Sequence, residues 1–120
     1  MGKVLIVDDE PAIGAYLTNV ISGFGHQCVT TLNATETLAQ LEGGGFQLVI
    51  ADIRLPDAPD PQRWICQLCK EAKGCPVVLI SGAPSNELNE CASANGVLAF
   101  LSKPFELAFI KNILKTVFKS

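Results

Sequence analysis

Little in this chain announces a function by abundance. It has one histidine, His26, so no histidine pair is available to complete a zinc site. Only 18% of its 120 residues are charged and the net charge is −3, with no basic stripe, which excludes the usual basis of direct nucleic-acid binding. No apolar run approaches the roughly 18 residues of a membrane span. Met1-Gly2-Lys3 leads straight into an apolar stretch, so no signal peptide is expected. There is no internal repeat, no low-complexity tail and no clustered-proline linker. Five cysteines without an export signal favour reduced thiols and a cytoplasmic location. Cys66-x-x-Cys69, with Cys75 nearby, has no second pair to make a zinc set and falls within an amphipathic helix, so these thiols read as structural. His26 reads as ordinary surface. With 48% hydrophobic residues, the chain can bury a core and form one domain over residues 1–120.

What is present is a series of short apolar runs that end in polar groups. Leu48-Val49-Ile50-Ala51 runs into Asp52, bounded by three glycines before it and Pro56 after it; Phe46 to Asp52 reads as a strand buried on both faces. Val4-Leu5-Ile6-Val7 ends in Asp8-Asp9-Glu10. Pro11 follows in the first turn of a helix, with Asp9 expected as its N-cap and Ile13, Leu17, Val20 and Ile21 facing inward. Gln27 to Thr31 is a short strand. Asn33-Ala34-Thr35-Glu36 has the form of a capping box, opening a helix with Ala34, Leu38 and Leu41 on its apolar stripe.

Beyond the turn Asp57 to Pro61, a helix over about Gln62 to Lys73 turns Ile65, Leu68 and Ala72 inward. Val77 to Ile80 forms a strand ending in Ser81, and Ser85 caps a helix that faces Leu88, Cys91 and Ala92 inward. Val97 to Leu101 is the fifth strand, followed by Ser102-Lys103-Pro104. A last helix from about Glu106 buries Leu107, Ile110, Leu114 and Val117, while Lys111, Lys115 and Lys119 form its solvated face. Strand followed by helix, five times over, predicts an α/β fold: a single doubly wound (βα)5 domain with a parallel sheet, right-handed crossovers and helices on both faces.

In a parallel sheet every carboxyl end points the same way, so Asp8, Asp9, Asp52, Ser81 and Lys103 converge on one crevice. Three carboxylates less one lysine leave a net charge of about −2, which suits one hard divalent cation; oxygen-only donors favour Mg²⁺ or Mn²⁺. Such an ion, a lysine and a hydroxyl together make a receptor for a phosphoryl group. A carboxylate can also act as the nucleophile and form an aspartyl phosphate.

Four motifs, Val4-Leu5-Ile6-Val7-Asp8-Asp9-Glu10-Pro11, Asp52-Ile53-Arg54-Leu55-Pro56, Ser81-Gly82-Ala83 and Lys103-Pro104-Phe105, resemble the receiver domain of two-component response regulators, in order and over essentially the whole chain. The resemblance implies a flavodoxin-like sheet in the order 2-1-3-4-5. It implies that Asp52 accepts a phosphoryl group from a phosphohistidine of a sensor kinase or phosphotransfer protein. Asp8, Asp9, Asp52 and the Arg54 backbone carbonyl would hold Mg²⁺, Lys103 would contact the phosphoryl oxygens, and the Ser81 hydroxyl would move to bond one of them. Phe100 falls at the aromatic switch position, Arg54 and Ala83 line the rim, and Lys103-Pro104 corresponds to a cis peptide bond. The output would run through helix four, strand five and helix five, to a homodimer or a downstream output protein. The chain would be a signalling phosphoacceptor that assists its own phosphorylation and dephosphorylation rather than an enzyme, with no output domain in these residues.

Two features set limits. Ala58-Pro59-Asp60-Pro61 stands where the family usually opens its third helix with a glycine, which bears on which partners fit the loop. The competing readings are a pseudo-receiver that binds partners without phosphorylation, an aspartyl-nucleophile phosphatase and a mononucleotide-binding module. The phosphatase needs an acid two residues after the nucleophile, where Arg54 stands; the last needs a Gly/Ser/Thr-rich loop where Asp8-Asp9-Glu10-Pro11 stands.

Overall fold

The structure is a computed structural model that describes residues 2–118. Strands β1 (Lys3–Val7), β2 (Gln27–Thr31), β3 (Leu48–Asp52), β4 (Val77–Ser81) and β5 (Ala99–Ser102) alternate with helices α1 (Pro11–Ser22), α2 (Ala34–Gly43), α3 (Pro61–Ala72), α4 (Asn86–Ala94) and α5 (Leu107–Val117). All strand pairs are parallel and the order is β2-β1-β3-β4-β5, as expected. Every residue of β3 and β4 is buried, which is why both read as unbroken apolar runs.

Side chains alternate across the sheet and divide the core in two. On one face Leu5, Val49, Ala51 and Leu79 pack against Trp64, Ile65 and Leu68 of α3, Leu41 of α2 and Leu88 of α4. On the other, Val4, Ile6, Ile50 and Ile80 meet Leu17 and Ile21 of α1 and Ile110 and Leu114 of α5. Each fully buried Leu or Ile contributes about 1.5–3 kcal/mol relative to its exposed state, so both faces are strongly specified. No helix among the described residues is long and apolar enough to cross a membrane.

Several local expectations are corrected. Asp9 does not cap α1; Glu10 occupies the N-cap without a side-chain bond, because Asp8 Oδ1 takes the Glu10 amide at 2.9 Å and moves the helix start on by one residue. Pro11 at the first position needs no donor there. Strand β3 starts at Leu48 rather than Phe46, whose side chain is half-buried beside the core. Strand β5 is shifted toward Ser102, since the Val97 amide closes onto Ala92 of α4 instead of entering the sheet. In α5 Leu107 is exposed and Ile113 is buried beside Ile110 and Leu114, and in α2 the buried position beside Ala34 and Leu41 is Thr37, with Leu38 half-buried. Thr37 is tolerated there because its hydroxyl donates to the Asn33 carbonyl at 2.7 Å and lies 2.8 Å from that of Thr31. Lys111 and Lys115 are exposed; Lys119 lies outside the described residues.

The loop that departs from the family pattern caps two helices at once. Asp60 Oδ1 accepts the Gln62 and Arg63 amides at the start of α3, at 3.1 and 3.3 Å, with Pro61 at the first position. Asp57 reaches across to α2, where its carboxylate accepts the Ala34 and Thr35 amides at 2.8 and 2.9 Å and the Thr35 hydroxyl at 2.8 Å. Asn33 caps α2 from within, taking the Glu36 amide at 2.8 Å, while Glu36 reaches back to the Leu32 amide at 3.1 Å. Glycines end that helix: Gly44 at φ +71° and Gly45 at φ +86° occupy backbone that side chains rarely adopt.

Candidate functional site

The ends of β1, β3, β4 and β5 meet at one edge of the sheet. Asp8 and Asp52 are 2% and 4% exposed, a degree of burial that carboxylates tolerate only when paired. Their partner is Lys103, whose position after β5 is fixed by its own amide donating to the Ser81 carbonyl at 2.8 Å. The Lys103–Pro104 peptide is cis. Lys103 Nζ donates to Asp52 Oδ2 at 3.1 Å and lies 3.0 Å from Asp8 Oδ2 and 3.4 Å from Glu10 Oε1.

The two buried carboxylates are held differently. Asp52 Oδ1 accepts the Arg54 amide at 3.1 Å, and the Asp52 backbone carbonyl accepts the indole N–H of Trp64 at 3.3 Å. Asp8 Oδ1 accepts the Glu10 amide, but the close approach of Lys103 to Asp8 Oδ2 is an ion pair without hydrogen-bond angles. That buried oxygen is left with no hydrogen-bond partner. Burial pushes the Asp8 carboxyl above its ordinary range, against the opposing pull of the Glu10 amide and Lys103. Burial would lower the Lys103 ammonium, yet the close Asp8 and Asp52 carboxylates, the second of them hydrogen-bonded to it, outweigh this and raise it. The lysine is therefore fully charged near neutrality.

Asp9 is exposed. Carboxylate oxygens of Asp8, Asp9 and Glu10 lie within 4.8 Å of one another, whereas Asp52, turned to Lys103, stands outside that trio. A hard divalent cation fits these residues: the donors are all oxygens, the charge is negative, and Asp8 Oδ2 is a buried acceptor with an unused lone pair. Ser81 is fully buried, with its hydroxyl turned into its own loop to accept the Ala83 amide at 3.1 Å, not toward Asp52. The Arg54 side chain reaches over to the Ala83 carbonyl at 3.4 Å. Phe100 is half-buried against the core cluster that includes Leu88 and Ala92 of α4.

Three residues at or behind this edge were not singled out from the sequence. Glu10, the third partner of Lys103, is the next residue in the acidic triplet and could have been included on that ground. Trp64, the sole tryptophan, sits on the buried face of an amphipathic helix, which signals burial but not its hydrogen-bond partner. Asp57 caps a helix 22 residues earlier in the chain, and such a nonlocal bond leaves no local pattern.

A parallel, doubly wound five-stranded sheet with two buried aspartates and a lysine at its carboxyl edge defines a flavodoxin-like domain with an acidic crevice at the strand ends. The family model for the response regulator receiver domain matches residues 4–115, and the chain belongs to that family. Transcriptional regulatory protein GlrR of Escherichia coli (strain K12) is 30% identical over 103 residues, covering 86% of this chain and 23% of that protein. Two-component response regulator ORR21 of Oryza sativa subsp. indica is 29% identical over 119 residues, 98% of this chain and 17% of the relative. The chain thus spans less than a quarter of the length of these relatives. Among solved structures, a CheY-like receiver domain protein from Methanospirillum hungatei JF-1 superposes with a TM-score of 0.88 at 25% identity, covering 98% of this chain and 94% of the other. The beryllofluoride-activated NtrC4 receiver domain dimer does so with 0.88 at 26% identity, covering 99% and 98%. The chain is accordingly a receiver domain of the two-component response-regulator kind.

Proposed function

We propose that Asp52 is a phosphoacceptor and that the domain, over residues 1–120, is a phosphorylation-controlled switch. The observation that carries this reading is the Asp52–Lys103 pair: a nearly buried carboxylate at a strand end, with an ammonium 3.1 Å from one oxygen and a backbone amide 3.1 Å from the other. An Asp52 oxygen attacks the phosphorus of a phosphohistidine on a sensor kinase or phosphotransfer protein; the P–N bond breaks and the imidazole leaves. Lys103 follows the charge onto the phosphoryl oxygens, and the Ser81 hydroxyl exchanges its bond to the Ala83 amide for one to the phosphoryl group. Asp8, Asp9, Asp52 and the Arg54 carbonyl would hold Mg²⁺, or Mn²⁺, which supplies charge neutralisation and orientation of the phosphoryl oxygens when bound. Phe100 would then turn inward and bias the surface of α4, β5 and α5 toward a homodimer or an output protein. The dimer named for the beryllofluoride-activated NtrC4 receiver supports a homodimeric output. The same residues would assist dephosphorylation, in a cytoplasmic setting where the kinase is met.

Intact mass after incubation with acetyl phosphate and Mg²⁺, beside Asp52→Asn, tests this. A single phosphoryl adduct on the parent alone, lost when EDTA is present during incubation, is the expected result. If neither acetyl phosphate nor beryllofluoride leaves a trace on the parent by mass or by NMR, the pseudo-receiver reading replaces this one.

A further inference from the structure

The seam between α3 and α4 carries thiols that the acidic crevice does not use. Gln62, Cys66 and Cys69 fall at i, i+4 and i+7 on α3, along one face. Cys91 of α4 directs its sulfur at the Gln62 carbonyl, 3.8 Å away, and Asn95 Nδ2 donates to the same sulfur at 3.7 Å. In an α-helix, the Gln62 carbonyl is the one to which the Cys66 amide bonds. Helical side chains lean toward the N-terminus, so Cys66 covers the turn that contains Gln62. The Cys91 sulfur thus lies on the turn of α3 that the Cys66 side chain covers, while Cys69, also a neighbour of Cys91, covers the next turn. A disulfide needs Cα atoms roughly 4.4–6.8 Å apart. The Cys91 sulfur, 3.8 Å from the Gln62 carbonyl that the Cys66 amide meets one helical turn on, is compatible with that span. Cys66 is exposed, Cys69 and Cys91 are half-buried, and all are free thiols.

We infer that Cys66 and Cys91 are a peroxide-oxidisable pair that closes into a disulfide joining α4 to α3. Hydrogen peroxide is the two-electron oxidant. The Cys66 sulfur attacks one peroxide oxygen, the O–O bond breaks, and the leaving hydroxide takes a proton to become water; Cys66 is now a sulfenic acid. The Cys91 sulfur attacks that sulfur, the S–O bond breaks and a second water leaves. Two thiols and one peroxide give one disulfide and two waters. The order follows from access. Burial, then the neighbouring Cys66, pushes the Cys91 thiol up and leaves it little thiolate, so exposed Cys66 meets the oxidant first and Cys91 resolves it. Because α4 belongs to the surface proposed to switch, the bond holds that helix against α3; this consequence rests on the phosphoacceptor reading, while the bond itself does not.

The full chain is treated with hydrogen peroxide, its remaining thiols are alkylated, and intact mass is compared among the parent, Cys66→Ser, Cys69→Ser and Cys91→Ser, each verified as folded by circular dichroism. The parent and Cys69→Ser lose two hydrogens and keep two fewer alkylatable thiols; Cys66→Ser and Cys91→Ser do not. Loss of the bond in Cys69→Ser with retention in Cys66→Ser overturns the pairing, as does a product of intermolecular dimers or oxygen adducts alone. A second arm records NMR shifts of α4 on addition of beryllofluoride and Mg²⁺. Reduced parent and oxidised Cys66→Ser respond, and oxidised parent does not. Equal responses in oxidised and reduced parent overturn the restraint on α4. No response in any form, with the disulfide still present by mass, removes the phosphoacceptor reading and leaves the bond.

Discussion

The indole Nε1–H of Trp64 donates to the backbone carbonyl of Asp52 at 3.3 Å. Trp64 is 1% exposed, so α3 supports the proposed acceptor from beneath through a bond shielded from water. Trp64→Phe keeps an aromatic ring and removes the donor, which leaves the Asp52 carbonyl unpaired. A loss of about 1–3 kcal/mol in unfolding free energy is expected, together with slower phosphoryl uptake. Urea denaturation beside an acetyl phosphate time course measures both; an unchanged midpoint means that the carbonyl finds another partner.

Because this is the only tryptophan, its emission is a site-specific signal. Adding beryllofluoride with Mg²⁺ should change Trp64 fluorescence in the parent and leave Asp52→Asn unaffected. Equal changes in both proteins would show that the ring senses something other than the Asp52 carboxylate.

Lys103 neutralises part of a cluster in which the Asp8 and Asp52 side chains are 1% and 6% exposed. Lys103→Met leaves both without their cation, and a destabilisation of about 3–5 kcal/mol is expected without metal, by analogy with broken buried pairs. Asp52→Asn is expected to act in the opposite sense: less repulsion should raise the metal-free melting temperature, and the loss of one proposed ligand should weaken any stabilisation by Mg²⁺. Thermal melts with EDTA and with a Mg²⁺ series separate the two effects. Identical melting temperatures and Mg²⁺ responses for Asp52→Asn and parent would rule out the repulsion account.

Asp57 gives a pH dependence with a defined sign. Its slight burial pushes its carboxyl up, but the Ala34 and Thr35 amides and the Thr35 hydroxyl outweigh this and hold it below its ordinary value of 3.8. A carboxyl held low in the folded state stabilises at pH above its unfolded value and ceases to as pH falls through the folded one. Asp57→Ala should therefore cost about 0.5–2 kcal/mol near neutrality, toward the low end because the site is exposed. The difference from the parent should shrink as pH drops below about 4. A gap that is constant from pH 7 to pH 3 would contradict the capping role.

The fold was legible because its strands are buried on both faces. Residues 48–51 and 77–80 carry no alternation to misread, and each ends at a polar group that only a sheet edge can accommodate. The capping role of Asn33 was legible because that bond is local. Reading failed where local preference yielded to a contact from elsewhere. Asp9 has the chemistry of a cap, yet the Asp8 carboxylate had already claimed the next amide. Leu107 has the hydrophobicity of a core residue, but it is the first residue of α5 and is exposed, and the buried face of that helix is carried by Ile110, Ile113 and Leu114. The crevice residues were legible as a set of strand ends. Their pairing was not, since the Lys103 contacts to Glu10 and Asp52 span 93 and 51 residues.

Those separations have a consequence for the order in which the domain gains and loses competence. Strand β5 is one of the two edge strands, joined only to β4, and the lysine follows it. During synthesis the acids are complete by residue 52 but remain unneutralised until the last strand docks. We expect a brief detachment of β5 to withdraw the ammonium, together with Phe100 and Leu101 from the two hydrophobic layers, while the pairing of β1 with β3 persists. Loss of the charge pair is then expected before loss of the globule, which ties the chemistry of the crevice to an edge strand rather than to the centre of the sheet.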